Sequence, residues 1–89
     1  MRKFRASETF WKKFYALSAE QKERTREAWK IFKADPFDPR LKTHVINALS
    51  GRVGRTIYSA KIEADLMVVF YVDGETVFSF DIGDHSIYK

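Results

Sequence analysis

Residues 56–83, which read TIYSAKIEADLMVVFYVDGETVFSFDIG, contain the clearest strand pattern of the chain. Apolar and polar residues alternate in its first part, so that Tyr58, Ala60 and Ile62 share one face, which is the period of a β-strand. The segment LMVVFYV at 66–72 is apolar on both faces, as a central strand is. An Asp-Gly pair at 73–74 then predicts a hairpin with a type I′ turn. Together with a third strand at 75–82, these residues predict an antiparallel three-stranded meander.

Two helices and a strand are predicted upstream of the meander. The segment RKFRA at 2–6 is a candidate edge strand, and Ser7 has the side chain of an N-cap for a helix that ends near Leu17. Ser18 begins a second helix, since Gln21 follows at the spacing of a capping box. Its inward stripe is Thr25, Ala28, Trp29 and Phe32. The resulting order is strand, two-helix hairpin and meander, which is an α+β fold with the helices packed on one face of the sheet.

The other face of the sheet is expected to be mixed and partly exposed. It would carry Lys61, Met67, Tyr71 and Asp81. In the last strand, strict alternation would separate the residues into two sets, Thr76, Phe78, Phe80 and Ile82 on one face and Val77, Ser79 and Asp81 on the other.

Length and composition limit the class of protein. Eighty-nine residues, 45% of them hydrophobic, make one domain, 1–89, with enough apolar surface to fold. The absence of cysteine excludes disulfides and thiolate metal sites and is consistent with a reducing compartment. The basic N-terminus is not followed by the apolar segment of a signal peptide, and 66–72 is too short to cross a bilayer. We therefore expect a soluble, cytoplasmic protein.

The net charge of +4 is unevenly distributed along the chain. Residues 1–34 contain ten Lys/Arg against four Glu, which gives +6, whereas residues 62–89 contain one Lys against six Asp/Glu, which gives −5. A basic N-terminal part is typical of a protein that binds an anionic partner. Two solvated surface helices would give the same composition, and charge alone does not separate these interpretations.

The candidates for chemistry are two histidines, a lysine and an aspartate. Imidazole can take or give a proton near neutral pH, so His44 and His85 are candidates for acid–base chemistry. Alternatively, His44 is a structural or surface residue and His85 is a solvated residue of the tail. Lys61 and Asp65 flank the turn between the first two meander strands, where a lysine can stabilise a developing phosphorane charge. The alternative is a surface ion pair worth less than about 1 kcal/mol. The scattered His and carboxylate positions do not have the spacing of a metal site.

Basic and aromatic residues near these candidates have the chemistry of nucleic-acid contacts. Arginines can hold a phosphate backbone, and tyrosines can stack on bases, although in strands aromatic residues more often pack. The predicted RNA-binding set is Lys42, Arg52, Arg55, Tyr71 and Tyr88.

Three features follow one another along the chain. A helical hairpin closes in DPFDPRL (35–41), a segment leads from His44 to LSG (49–51), and a strand pair ends in IGDHSIY (82–88). This succession resembles the RelE/ParE superfamily of bacterial toxins over nearly the whole chain. Each motif alone has low specificity, whereas the three in this order are much more specific.

The resemblance implies a toxin of a type II toxin–antitoxin system that inhibits growth or stabilises a plasmid. In the mRNA-cleaving branches the toxin enters the ribosomal A site, and the 2′-hydroxyl of the message attacks the neighbouring phosphate. We expect this activity here, in a RelE-like or YafQ-like protein without metal or cofactor, with ribosome, mRNA and a cognate antitoxin as partners. Two alternatives stay open: a ParE-type, non-catalytic inhibitor of DNA gyrase, and a homologue that has lost activity.

The resemblance also implies roles for particular residues. His85 is similar in position to the tail histidine that protonates the leaving 5′-oxygen, while His44 and Asp65 are candidates for the general base. Lys61 stands where YafQ-like nucleases have a histidine, and it can stabilise the phosphate. Met67 stands where many superfamily members have an arginine, which the YafQ branch also lacks.

Overall fold

The structure, a computed structural model, describes residues 2–88, with the backbone alone at Tyr88. Its elements are β1 (Lys3–Ala6), α1 (Glu8–Ala16), α2 (Ala19–Ala34), β2 (His44–Val45), α3 (Asn47–Val53), β3 (Tyr58–Glu63), β4 (Leu66–Asp73) and β5 (Thr76–Gly83). Two short 3₁₀ turns, Pro39–Leu41 and His85–Tyr88, complete it. The five strands form one mixed sheet in the order β1-β5-β4-β3-β2, in which only the β1–β5 pair is parallel. The predicted α+β arrangement is confirmed.

The helical hairpin covers one face of the sheet, as predicted. Ser7 accepts a hydrogen bond from the backbone N–H of Phe10, which starts α1, and the capping box of Ser18 and Gln21 starts α2. Helix α1 buries Phe10 and Phe14 against the sheet in one cluster, which includes the side chains of Leu66, Val68 and Ile82. Helix α2 buries Phe32 in a second cluster with Leu41, Ala60, Phe70 and Val77. The main core therefore lies between the hairpin and the three meander strands.

The opposite face is covered in part by α3, which the sequence did not predict. Leu49 packs there on Ile57 and Val69, and Ile46 closes the edge of this third cluster. Met67, expected to be partly exposed, is only 3% exposed. The prediction of an exposed side chain was therefore wrong at this position. Helix α3 covers the neighbouring part of the same face, while β2 extends the sheet beside β3.

The last strand departs from strict alternation. The pairing of β4 with β5 shifts between Val69, opposite Asp81, and Phe70, opposite Ser79, so that Phe80 is an extra residue. Such a bulge changes which face the following residues occupy. Val77 and Ile82 therefore both face the helices, although alternation had placed them on different faces, and Phe80 packs in the third cluster. Asp81 forms an ion pair of 2.7 Å with Lys13 of α1.

The β4–β5 hairpin is confirmed, but its turn differs from the predicted one. Asp73 pairs with Thr76, so the loop residues are Gly74 and Glu75. Gly74 has a φ of 61°, whereas Glu75 does not have a positive φ. A positive φ at the first loop residue alone matches a type II′ turn, while type I′ requires it at both.

Candidate functional site

Strand register brings Asp65 and His85 to one end of the sheet. Lys61 of β3 pairs with Met67 of β4, which in turn pairs with Gly83 at the end of β5. The turn between β3 and β4 and the segment after β5 therefore lie at the same end of the strands. Asp65 lies in the first of these and His85 in the second.

A hydrogen bond joins these two side chains. His85 Nδ1 lies 2.8 Å from Asp65 Oδ1, and the two side chains are 68% and 67% exposed. Because an ionised carboxylate only accepts, His85 Nδ1–H is the donor, and the contact fixes the orientation of the ring. The second ring nitrogen, Nε2, is then the atom that can exchange a proton with a ligand.

The turn that carries His85 is held at both of its ends. The Asp84 carboxylate accepts a hydrogen bond of 2.8 Å from the backbone N–H of Ser86. This bond and one from the Ser86 side chain hold the pKa of Asp84 below its ordinary value. Ile87 packs against the third cluster, and a Cβ built on Gly83 would lie 2.8 Å from its Cγ2 atom. Glycine at position 83 therefore allows the turn to fold closely onto the sheet.

His85 also borders an open groove of about 400 Å³ on the face opposite the hairpin. The groove is lined by Lys42, His44, Ser59, Lys61, Ala64, Met67 and His85. Two histidines and two lysines thus face one space that is large enough for a phosphate and part of a nucleotide. A site with proton donors and cations around one cleft is suited to phosphodiester chemistry.

His44 reaches this groove through β2. His44 pairs with Ser59 of β3, which places β2 beside the strand of Lys61. Its Nδ1 lies 3.0 Å from the carbonyl oxygen of Lys42. Since a carbonyl only accepts, Nδ1 carries the proton of the neutral ring, and Nε2 has a free lone pair that can accept one.

Two predicted RNA-binding residues lie further along the same face. The Arg55 guanidinium carbon stands 4.3 Å from the centre of the Tyr71 ring, a cation–π contact. Arg52 is exposed near the end of α3. Of the predicted RNA-binding residues whose side chains the structure describes, Lys42 alone belongs to the groove lining. The side chain of Tyr88 lies outside the described part of the chain.

Sequence reasoning missed Ser59 and Met67 as groove-lining residues. Ser59 is 1% exposed, and it shares with Lys61 the face that alternation assigns to both. The alternation itself could have identified it, because a small hydroxyl beside a lysine leaves room for a ligand. Met67 also lines the groove, at the position where many members of the superfamily have an arginine.

Comparison by sequence finds no matching family model and no matching curated protein. Comparison of structures does find similar folds. The archaeal RelE–RelB complex from Pyrococcus horikoshii matches with a TM-score of 0.72 and 13% identity over 93% of both chains. YafQ from Escherichia coli matches with a TM-score of 0.71 and 13% identity over 98% of this chain and 97% of its own. A YoeB/ParE toxin from Agrobacterium tumefaciens matches with a TM-score of 0.69 and 18% identity over 96% and 99%.

These structures define the class of fold. The chain has the fold of the RelE/ParE toxins over nearly its entire length, as the succession of motifs predicted. Within residues 2–88, no helix is long and apolar enough to cross a membrane. The same part of the chain does not contain a group of three or more His, Asp or Glu side chains that could hold a metal ion.

Proposed function

We propose that this protein is the toxin of a type II toxin–antitoxin system and cleaves mRNA on the ribosome. The observation that carries the proposal is the groove in which His44, Lys61 and His85 face one another, with Asp65 bound to His85. A fold shared with RelE, YafQ and a YoeB/ParE toxin supports the toxin role.

The groove supplies the groups that transesterification of RNA requires. His44 Nε2 accepts the proton of the 2′-hydroxyl, whose oxygen forms a bond to the adjacent phosphorus. The bond from phosphorus to the 5′-oxygen breaks, and protonated His85 gives that oxygen its Nε2 proton. Lys61, assisted by Lys42, stabilises the negative charge of the transition state. The products are a 2′,3′-cyclic phosphate and a 5′-hydroxyl, so atoms and protons balance.

Asp65 has a positioning role in this scheme. Its carboxylate is engaged by His85 Nδ1, which leaves His44 as the stronger candidate for the base. The carboxylate accepts from Nδ1 and so orients the imidazole, which leaves Nε2 as the atom that acts as general acid.

A groove between α1 and α2 fits the expected antitoxin. It measures about 460 Å³, and its lining includes Trp11 and Tyr15, which are 44% and 66% exposed. Arg26, Lys30 and Lys33 give it a basic rim. An amphipathic segment with acidic residues beside apolar ones would match this surface. The RelE from Pyrococcus horikoshii was solved in a complex with RelB, which supports a protein partner of this kind.

Growth arrest in cells tests the proposal. Induction of the wild-type chain from a tightly repressed promoter should stop growth, and His85→Ala should abolish the arrest. Thr9→Ala, an exposed change on α1 that leaves the tail turn intact, is the control and should still arrest growth. Arrest by both variants would favour the gyrase inhibitor, in which the histidine has no catalytic role. Absence of arrest with the folded wild-type protein would favour a homologue without activity, which agrees with Met67 at the position of the arginine of many superfamily members.

A further inference from the structure

A row of two aromatic side chains with a cationic side chain at each end crosses the sheet on the face of the nuclease groove. In β4 and β5, Tyr71 pairs with Phe78, and Phe78 pairs in turn with Arg5 of β1. Paired residues of neighbouring strands point to the same face of a sheet. Arg55 covers Tyr71 from the other side, so the order across the face is Arg55, Tyr71, Phe78 and Arg5, which we call the platform row.

The members of the platform row present stacking surfaces rather than isolated contacts. The rings of Tyr71 and Phe78 are 5.2 Å apart at their centres and inclined by 26°. Arg55 and Arg5 are exposed, and both rings are half-buried. The second planar face of the Arg55 guanidinium and the face of Phe78 nearest Arg5 are therefore the surfaces on which a further flat group can stack.

We infer that the platform row binds the bases and phosphates of single-stranded RNA beyond the cleaved bond. Every base has a flat π face, and aromatic side chains together with arginine bind single strands by stacking and by neutralising phosphates. The row itself contains two cations and no carboxylate. These cations attract any anion, and the flat ring and guanidinium faces beside them favour stacked bases over an acidic protein segment.

The position of the platform row agrees with this inference. Tyr71 lies four residues from Met67 on β4, a distance of about 13 Å along the strand. Both residues point to the same face, and the third cluster with the buried Val69 lies between them, so the row and the nuclease groove are two separate patches on one side of the sheet. A strand held in the groove by its phosphate would pass over this cluster to reach the row with its neighbouring nucleotides. The inference rests on the proposed function, because it adds the surface that holds the substrate of that site.

Fluorescence anisotropy with a labelled single-stranded RNA whose 2′-hydroxyls are methylated tests the inference separately from cleavage. Phe78→Leu keeps an apolar side chain but removes the ring, and its affinity should fall about fivefold to hundredfold, the range for loss of one base stack. Arg5→Gln should weaken binding and lower the salt slope by about 0.7, the value for one phosphate contact to a single strand. Arg40→Gln removes an exposed guanidinium that is already paired with Asp38, and this control should bind like wild type.

Arg5 is exposed on an edge strand, so we expect Arg5→Gln to fold. The test can then be made with this variant if Phe78→Leu does not fold. Unchanged affinity of the folded Arg5→Gln and Phe78→Leu proteins would overturn the inference. If the same variants bound antitoxin more weakly but RNA equally well, the row would belong to a protein interface, and the inference would also fail. Methylated RNA is not cleaved, so binding and cleavage are measured separately. If the variants lost binding but the wild-type protein did not cleave unmodified mRNA, the proposed nuclease activity would be contradicted while the RNA-binding role of the platform row would be supported.

Discussion

The hydrogen bond between Asp65 and His85 gives the clearest link between one residue pair and function. Both side chains are largely exposed, so the pair contributes less than about 1 kcal/mol to the free energy of unfolding. Its importance in the proposed mechanism is the orientation of an imidazole. Activity and stability should therefore respond very differently to changes at this pair.

Asp65→Asn should lower the rate of mRNA cleavage by tenfold or more. The loss should not exceed the contribution of a general acid, which is about 10²–10⁴-fold. The amide has the same shape, but its neutral oxygen accepts a weaker hydrogen bond from Nδ1 than a carboxylate does, so the ring is held less firmly. Cleavage rates and thermal unfolding measured on the same preparations check this. Asp65→Glu should recover part of the rate, and a wild-type rate in Asp65→Asn would remove the aspartate from the mechanism.

Gly83→Ala should reduce cleavage. The new Cβ would lie 2.8 Å from Ile87 Cγ2, so Ile87 must move, and the turn that carries His85 moves with Ile87. Gly51→Ala is the matched control: it lies in α3 with open space around the added methyl group. Alanine favours a helix over glycine by up to about 1 kcal/mol, so the control should unfold at a slightly higher temperature. Equal cleavage by wild type and Gly83→Ala would show that the close approach at residue 83 has no bearing on the site.

The pKa of Asp84 predicts how the tail turn responds to acid. Hydrogen bonds from Ser86 lower this pKa below the ordinary value of 3.8. A depressed pKa means that the turn is stabilised above pH 3.8 and loses this stabilisation as pH falls through the lower, folded-state value. A pH titration of the Ser86 amide by NMR should show this transition, and Asp84→Asn should not show it. A transition that persists in Asp84→Asn would assign it to another group.

At the scale of the elements, local signals specified the ends of the helices. Ser7 and Ser18 each accept a hydrogen bond from the first helical turn, but the Ser7 hydroxyl also donates one of 2.7 Å to the carbonyl oxygen of Phe80. Ser7 therefore joins α1 to β5, whereas Ser18 acts only within α2 and its N-terminal cap.

Ser18→Ala should lower the free energy of unfolding by about 1 kcal/mol, the usual cost of losing an N-cap. Ser7→Ala should cost more, because the carbonyl of Phe80 also loses a partner. Urea denaturation of both variants measures the difference. Equal losses, or a larger loss for Ser18→Ala, would contradict the role given to the Ser7–Phe80 bond.

The sequence predicted elements with strong local signals and missed those that depend on tertiary contacts. Capping residues and period-two runs predicted α1, α2 and the meander. Helix α3 has seven residues, includes Gly51, and is stabilised by packing of Leu49 on Ile57 and Val69, so its local signal is weak. The bulge at Phe80 likewise depends on pairing with β4. The approach of Asp65 to His85 was predictable, because it follows from the register of a meander.

At the scale of the whole molecule, basic side chains line grooves on both faces of the sheet. Helices α1 and α2 lie in the N-terminal segment of charge +6, and their exposed face is opposite the nuclease groove. In the proposed function this basic face is available for ribosomal RNA or for the antitoxin, while the opposite face holds the message. Binding of antitoxin to the α1–α2 groove would then compete with docking on the ribosome.

Association with ribosomes should weaken steeply as salt rises. Each phosphate that Lys or Arg neutralises releases counterions, so the logarithm of the binding constant should fall linearly with the logarithm of salt concentration. Sedimentation with ribosomes over a range of salt concentrations measures the slope. A flat response would show that phosphate neutralisation is not what docks the protein.

Primer extension on mRNA from translating ribosomes, after addition of the purified protein, tests whether the chain cleaves the message. We expect new 5′ ends within the codon in the ribosomal A site for the wild-type protein. His85→Ala should produce none of them, and Thr9→Ala, an exposed change on α1, should produce the wild-type pattern. Uncut message in the presence of folded wild-type protein, or cuts that persist in His85→Ala, would contradict the proposed nuclease activity.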